Sequence, residues 1–204
     1  MVELYLIRHG ECEGSGSYIG RGSNVPLTKK GNTQIRNMAL FLRESLSGEK
    51  IDFLYTSPMS RAVESAEILA EELQSSYVEL KGLEEVDFGD WEGLTYEEID
   101  KNNHRELQQW ISHPIEKSPP HGESLKELQF RVLQALSPLM EKIDDEKTWR
   151  IASVSHRGPL AVLIAHLLKL DLNYFWNFKI DRGSVSLLSL FPEFNELSFL
   201  NRKF

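Results

Sequence analysis

Leu6-Ile7-Arg8-His9-Gly10-Glu11 is the stretch on which the reading of the fold turns. From Val2 to Ile7 the chain is apolar except for Glu3, a length that suits one buried strand, and it then stops at an arginine, a histidine and a glycine. Side chains that follow a buried strand are delivered to a sheet edge, where open α/β folds keep their ligands. A histidine fixed there beside a guanidinium is placed to attack an electrophilic anion such as a phosphoryl group. A strand-end histidine that only caps a loop fits the hexapeptide as well, so the rest of the chain has to decide.

The chain has 204 residues and a formal net charge of −8, with a composition suited to one domain that buries a substantial core. An acidic protein lacks the basic surface of a general nucleic-acid binder, so any anion site must be a local cluster of arginines and histidines. Cys12 is the only cysteine, which excludes an internal disulfide framework and fits a reducing compartment. No charged segment leads into an apolar stretch at the N-terminus, and no apolar run approaches the roughly 20 residues needed to span a bilayer. A cytoplasmic protein with neither membrane nor nucleic-acid partner is expected, with residues 1–204 forming one domain.

Outward from the first strand, the glycine-rich loop Gly14 to Gly22 permits close approach of backbone to ligand. Thr28 is placed to cap a helix with apolar positions Ile35, Met38, Ala39 and Leu42, which Ser47-Gly48 ends. Ile51 to Tyr55 reads as a second buried strand. A helix then starts with Ser57 as N-cap and Pro58 in the first helical position, burying Ala62, Val63, Ala66, Leu69, Ala70 and Leu73. Arg61 lies in its first turn, where free N–H groups and the positive end of the macrodipole favour phosphate; a solvated surface arginine is the other reading.

Leu83 to Gly93 is too acidic and glycine-rich for a helix or strand interior. Carboxylates interleaved with aromatics can supply a desolvated general acid, although a plain acidic surface loop would look similar. Thr95 to Asn103 and Arg105 to Ser112 read as helical and His113 to His121 as irregular, which makes residues 95–122 the candidate cap or specificity insert. Ser124-Leu125-Lys126-Glu127 is a capping box that opens a long helix with Leu125, Leu128, Val132, Leu136, Leu139, Met140 and Ile143 on one face. Ile151 to Ser155 is a third buried strand that also ends in a histidine beside an arginine, His156-Arg157, before an apolar helix from about Leu160 to Leu168. Ser184 to Phe191 and Leu197 to Leu200 are two last strands. This alternation predicts an α/β fold, a three-layer α/β/α sandwich with a mostly parallel central sheet, whose three strand-to-helix junctions meet at one edge.

Taken together, Arg8, His9, Arg61, an acid near Glu85 and His156 resemble the histidine phosphatase superfamily, which includes the cofactor-dependent phosphoglycerate mutases. The resemblance runs nearly end to end. Arg8-His9-Gly10-Glu11, Pro26-Leu27-Thr28 with Gly31 and Gln34, Ser57-Pro58-Met59-Ser60-Arg61-Ala62, Leu83 to Gly93, Gly122-Glu123-Ser124 and Ser155-His156 follow in the family's order. It implies a phosphoglycerate mutase-like fold and metal-independent, cofactor-free hydrolysis of a small phosphorylated metabolite. His9 would be the nucleophile, Glu85 the general acid, and Arg8, Arg61 and His156 the ligands of the phosphoryl oxygens.

Mutases of this family usually carry a mid-chain insert that is missing here, which favours phosphatase over a mutase or a fructose-2,6-bisphosphatase-like enzyme. Phe88 to Gly93 and Phe175 to Asp181 look most like the α-ribazole phosphatases. Ser15 stands where many members have asparagine, Arg157 where glycine is common, and Cys12 where serine or threonine is usual. Ser15, Arg21 and Arg157 are the further substrate-binding candidates. A metallohydrolase is the rival reading, yet His104, His113, His121 and His166 lack His-Glu-x-x-His spacing; a non-catalytic phosphate-binding module would have no need of both nucleophile and acid.

Overall fold

The structure is a computed structural model that describes residues 1–143 and 146–204. Among these, β1 (Val2–Arg8), β2 (Phe53–Thr56), β3 (Tyr77–Glu79), β4 (Trp149–Ser155), β5 (Ser184–Leu190) and β6 (Asn195–Lys203) form one sheet in the order β3-β2-β4-β1-β5-β6. The first four in that order are parallel. β5 runs antiparallel to β1, and β6 antiparallel to β5. The helices are α1 (Lys29–Ser45), α2 (Ser60–Leu73), α3 (Tyr96–Ser112), α4 (Leu125–Ala135), α5 (Ser137–Met140) and α6 (Arg157–Leu167).

Side chains of a strand alternate between faces, and β1 shows how that alternation builds two cores. Val2, Leu4 and Leu6 join α4 and α6 on one side, while Tyr5 and Ile7 join α1 and α2 on the other. The sheet therefore lies between helical layers, as expected for the α/β/α sandwich. α6 is buried nearly all round, which is why its sequence carries no polar stripe. A third cluster of Trp91, Ile99, Leu107 and Trp110 seats α3 beside Tyr18, Phe88 and Trp176.

Several boundaries differ from the sequence reading, each for a local reason. α2 begins at Ser60 with Met59 as N-cap, so Ser57 and Pro58 lie before the helix rather than opening it. Ser57 is engaged elsewhere. The two helical stretches around residue 104 are one helix, α3, kinked at Asn103, where φ is −135°. The long helix after Ser124 breaks at Leu136, and Pro138 sits in the first turn of the short α5, where its missing N–H does no harm. The side chain of Met140 lies outside the described residues. β3 was not visible in the sequence because only three residues pair, with two of them exposed at the sheet edge. The second strand is Phe53–Thr56, with Ile51 buried just before it, and α6 starts at Arg157, earlier than its apolar run.

The pairing register fixes what meets at the sheet edge. Arg8 pairs with Ser155 across β1 and β4, so the next residues, His9 and His156, emerge side by side. β2, the strand that leads to Ser57 and Arg61, flanks β4 on its other side. All three junctions thus leave the carboxyl ends of neighbouring parallel strands.

Candidate active site

His9 is 2 % exposed and follows the last pair of β1. Its main-chain N–H donates to Ser155 O at 3.1 Å, which locks it to β4. Its ring is fixed too, because Nδ1 lies 2.7 Å from Gly10 O. A carbonyl can only accept, so Nδ1 carries the proton and Nε2 of the neutral ring keeps its lone pair. Burial, then the charges of Arg8 and Arg61, hold this imidazole well below the usual histidine value of 6.5. Gly10 has no room for a side chain, since a Cβ there would lie 2.5 Å from Gly31 O.

His156 sits beside it with ring centroids 5.0 Å apart. It is fully buried, and burial followed by Arg61, His9 and Arg8 lowers its pKa well below 6.5. Its Nε2 is 2.8 Å from Ser57 Oγ, whereas Nδ1 has no partner among the described residues.

Arg61 is 1 % exposed, so it is no surface arginine. The glycine-rich loop holds it: one Nη donates to Ser23 O at 2.8 Å and the other to Gly20 O at 3.1 Å. Arg8 donates to Ile180 O at 2.6 Å, and burial lowers its pKa to about 10 against the opposing pull of Glu85. The Nε atoms of both arginines are buried without a partner.

Glu85 is 6 % exposed at the start of α6. Its Oε1 accepts from the Val86 and Gly158 amides, each at 2.9 Å. Glycine at 158 is required by this approach, because a Cβ would stand 2.5 Å from Oε1. The loop is clamped from behind by Arg131, which donates to Gly82 O, Glu84 O and Glu85 O at 2.8 Å each and pairs with Glu123.

Against this group lies a cavity of about 150 Å³ walled by Tyr18, Phe88, Trp110, Phe175 and Trp176, with Glu85 and Arg157 at its side. The rings meet edge to face, Trp110 and Trp176 at 4.9 Å and 85°. Arg157 stacks 4.8 Å over Phe175 and 5.2 Å over Trp176 while donating to Phe178 O at 3.3 Å. The indole nitrogens of Trp110 and Trp176 are buried without partners.

The structure therefore brings Arg8, His9, Arg61, Glu85, His156 and Arg157 together, and it does not bring Ser15 or Arg21. Ser15 is exposed and its hydroxyl turns back to Cys12 O at 2.6 Å, satisfying its own tight turn. Arg21 is exposed and lines a separate depression with Lys81 and Gln134; only its main-chain N–H, bonded to Val86 O, serves the acidic loop. Cys12 is 1 % exposed and packed. His104, His113, His121 and His166 are all exposed, and among the described residues no three His, Cys, Asp or Glu side chains are grouped to hold a metal ion.

Sequence reasoning missed Arg182. The next residue, Gly183, donates its N–H to Arg8 O at 3.2 Å and His9 O at 2.9 Å, which places Arg182 at the same sheet edge. Its charge is felt at Arg8, His9, Glu11 and Arg61, and its Nε is buried and unpartnered. The usable signal was topological: an antiparallel strand starts where its parallel neighbours end, so the residue leading into β5 belongs to the site. Among the described residues no helix is long and apolar enough to cross a membrane.

The chain is similar to known proteins over nearly its whole length. Phosphoserine phosphatase 1 of Hydrogenobacter thermophilus is 30 % identical over 203 residues, covering 98 % of this chain and 92 % of the relative. The adenosylcobalamin/alpha-ribazole phosphatase of Escherichia coli is 29 % identical over 204 residues, covering 99 % and 97 %. The crystal structure of the alpha-ribazole phosphatase from Shigella flexneri superposes with a TM-score of 0.82 at 29 % identity, over 98 % of this chain and 96 % of that one. The family pattern of the histidine phosphatase superfamily (branch 1) matches residues 4–203, so the chain belongs to that superfamily and is an enzyme that hydrolyses phosphomonoesters.

Proposed function

We propose that the enzyme passes the phosphoryl group of its substrate to His9 and then to water, and that it favours leaving groups with an aromatic, nucleoside-like body. One observation carries the first half. Nε of Arg8, Nε of Arg61, Nε of Arg182 and Nδ1 of His156 are all buried without partners among the described residues, around a histidine whose free lone pair is on Nε2. A buried unpaired donor costs about 1–3 kcal/mol, and a phosphoryl dianion satisfies several at once.

The His9 Nε2 lone pair attacks phosphorus in line, forming the N–P bond as the P–O ester bond breaks. Glu85 gives its proton through Oε2 to the departing alkoxide. It then takes a proton from the attacking water, while the N–P electron pair returns to Nε2 and inorganic phosphate leaves. Arg8, Arg61 and His156 hold the equatorial oxygens, where fixed charge lowers the barrier most. Residues 95–122 act as the specificity cap, since Trp110 on α3 closes the aromatic cavity beside Glu85.

The cavity supports the second half. Its walls are aromatic, with Glu85 and the stacked guanidinium of Arg157 as the charged groups at its side, which suits a planar heterocycle on a sugar. α-Ribazole 5′-phosphate meets that description, and O-phosphoserine, small and zwitterionic, does not. Trp110→Ala should raise KM for α-ribazole phosphate by about 10- to 100-fold, the value of one buried aromatic face, and leave O-phosphoserine turnover nearly unchanged. Steady-state kinetics on both substrates would reject this cavity if the two KM values moved together.

His9→Ala should abolish turnover in a protein that stays folded by circular dichroism. Quenching the wild type with labelled substrate should leave acid-labile, base-stable label, and its absence, or turnover in the variant, would overturn the phosphohistidine route.

Glu85→Gln should slow alkyl phosphates by about 10²–10⁴-fold, because an alkoxide needs its proton during P–O cleavage. p-Nitrophenolate leaves unaided, so phosphorylation by p-nitrophenyl phosphate should suffer much less and phosphohistidine should accumulate. Glu84→Gln should do neither; equal behaviour of the two variants would remove Glu85 from the role.

Neutral, buried His9 and His156 also set a pH dependence. Their unfolded-state value is 6.5 and their native values lie well below it, so between the two the unfolded chain binds protons that the native protein does not. Stability is therefore full above 6.5 and is lost as the pH falls from there toward the native values. Urea midpoints should drop on the acid side of 6.5, less steeply in His9→Gln, while kcat/KM holds its plateau to below 6.5 because His9 stays unprotonated.

A further inference from the structure

Ser57 lies outside the groups assigned above, yet its hydroxyl is fully buried against one of them. Oγ stands 2.8 Å from His156 Nε2 and accepts the Met59 N–H at 3.4 Å. That amide is a fixed donor, so the hydroxyl's own proton is left to be given, and His156 Nε2 is the acceptor within reach. A ring that accepts at Nε2 must carry its single proton on Nδ1, the nitrogen that is buried, without a protein partner, in a ring 5.0 Å from that of His9. The opposite tautomer would bury a Ser57 O–H with nothing to donate to and would present a lone pair where phosphoryl oxygens bind.

We infer that Ser57 is a positioning residue that holds His156 in the Nδ1–H tautomer, so that a neutral imidazole donates a hydrogen bond to the transferring phosphoryl group. The inference rests on the proposed role of His156 as a phosphoryl ligand. It also accounts for the displaced start of α2. With Ser57 and Pro58 ahead of the helix and Met59 as its cap, the serine hydroxyl is free to face β4 and its histidine rather than to cap the helix. Depression of the His156 pKa by burial and neighbouring cations keeps the ring neutral, which is what makes its tautomer matter.

Long-range ¹H–¹⁵N correlation spectra of ¹⁵N-histidine-labelled protein test this directly, with the His156 signals assigned by their loss in His156→Gln. At a pH where the ring is neutral, wild type should show His156 protonated at Nδ1. Ser57→Ala should shift it toward Nε2–H or a mixture, and should weaken competitive inhibition by inorganic phosphate by about 10- to 100-fold, the value of one hydrogen bond to a charged group. Ser57→Thr, which keeps the hydroxyl, should restore the Nδ1–H pattern and most of the affinity. An Nε2–H signal in wild type overturns the inference even if no variant folds, and so does a Ser57→Ala spectrum and inhibition constant identical to wild type. Unchanged phosphate inhibition in His156→Gln would instead overturn the role of His156 on which the inference rests; the wild-type tautomer keeps the two failures apart.

Discussion

Among the described residues, none of the arginines gathered around His9 is paired with a carboxylate. Arg8 is held by Ile180 O, Arg61 by Ser23 O and Gly20 O, and Arg157 by Phe178 O and two aromatic faces. Arg131 and Arg150, outside the site, are held by Glu123 and by Glu3 and Glu49. The difference is physical. A carbonyl fixes a guanidinium without cancelling its charge, so the positive field stays available to a dianion. The cost is mutual repulsion and desolvation, visible in the lowering of Arg8 to about 10. Much of the surrounding structure exists to tolerate that cost: the glycine-rich loop supplies carbonyls to Arg61, and the turn before β5 supplies one to Arg8. The chain as a whole carries −8, and at the site the carboxylate whose charge is felt at Arg8, Arg61 and Arg157 is Glu85, held by backbone amides rather than by a guanidinium.

In the proposed mechanism the site has two halves made by different parts of the fold. Strand ends supply the phosphoryl half, and rigid pairing between β1 and β4 sets His9 beside His156 with no loop between them and the sheet. Loops and α3 supply the leaving-group half, where aromatic edges rather than hydrogen bonds define the walls. Glu85, the proposed acid, lies at the seam between them. Its place is fixed by an amide at the start of α6, the helix that follows His156, so the proposed acid and the proposed phosphoryl ligand are held at one junction.

The strand-end residues were legible in the sequence because chemistry and topology agreed there. An apolar run that stops at Arg8-His9, and another that stops at His156-Arg157, both announce a sheet edge, and the register then leaves little freedom. Glu85 could be found only by its family position, since Glu84 beside it has the same chemistry; the distinction is that Gly158 admits one carboxylate and a Cβ there would exclude it. Arg182 was invisible because nothing local marks it, and Ser15 and Arg21 were misplaced because the side chains of a loop follow its turns rather than a period. Ser57 was read as a cap on good local grounds, and the tertiary contact with His156 outbid them.

The opposite tasks proposed for the two neighbouring histidines follow from what the other nitrogen of each ring touches. Gly10 O can only accept, so it draws the proton of His9 to Nδ1 and leaves a lone pair on Nε2, the form a nucleophile needs. A serine hydroxyl can also give, and at His156 it occupies Nε2, so that the donor is the remaining nitrogen. Burial and the shared cations keep both rings neutral, because an imidazolium at either position would add a further charge to a cluster already short of solvent. Neutrality alone would leave two interchangeable imidazoles. The backbone carbonyl at one and the hydroxyl at the other break that symmetry, so on the proposed roles the choice of which ring attacks phosphorus is made by groups behind the two rings.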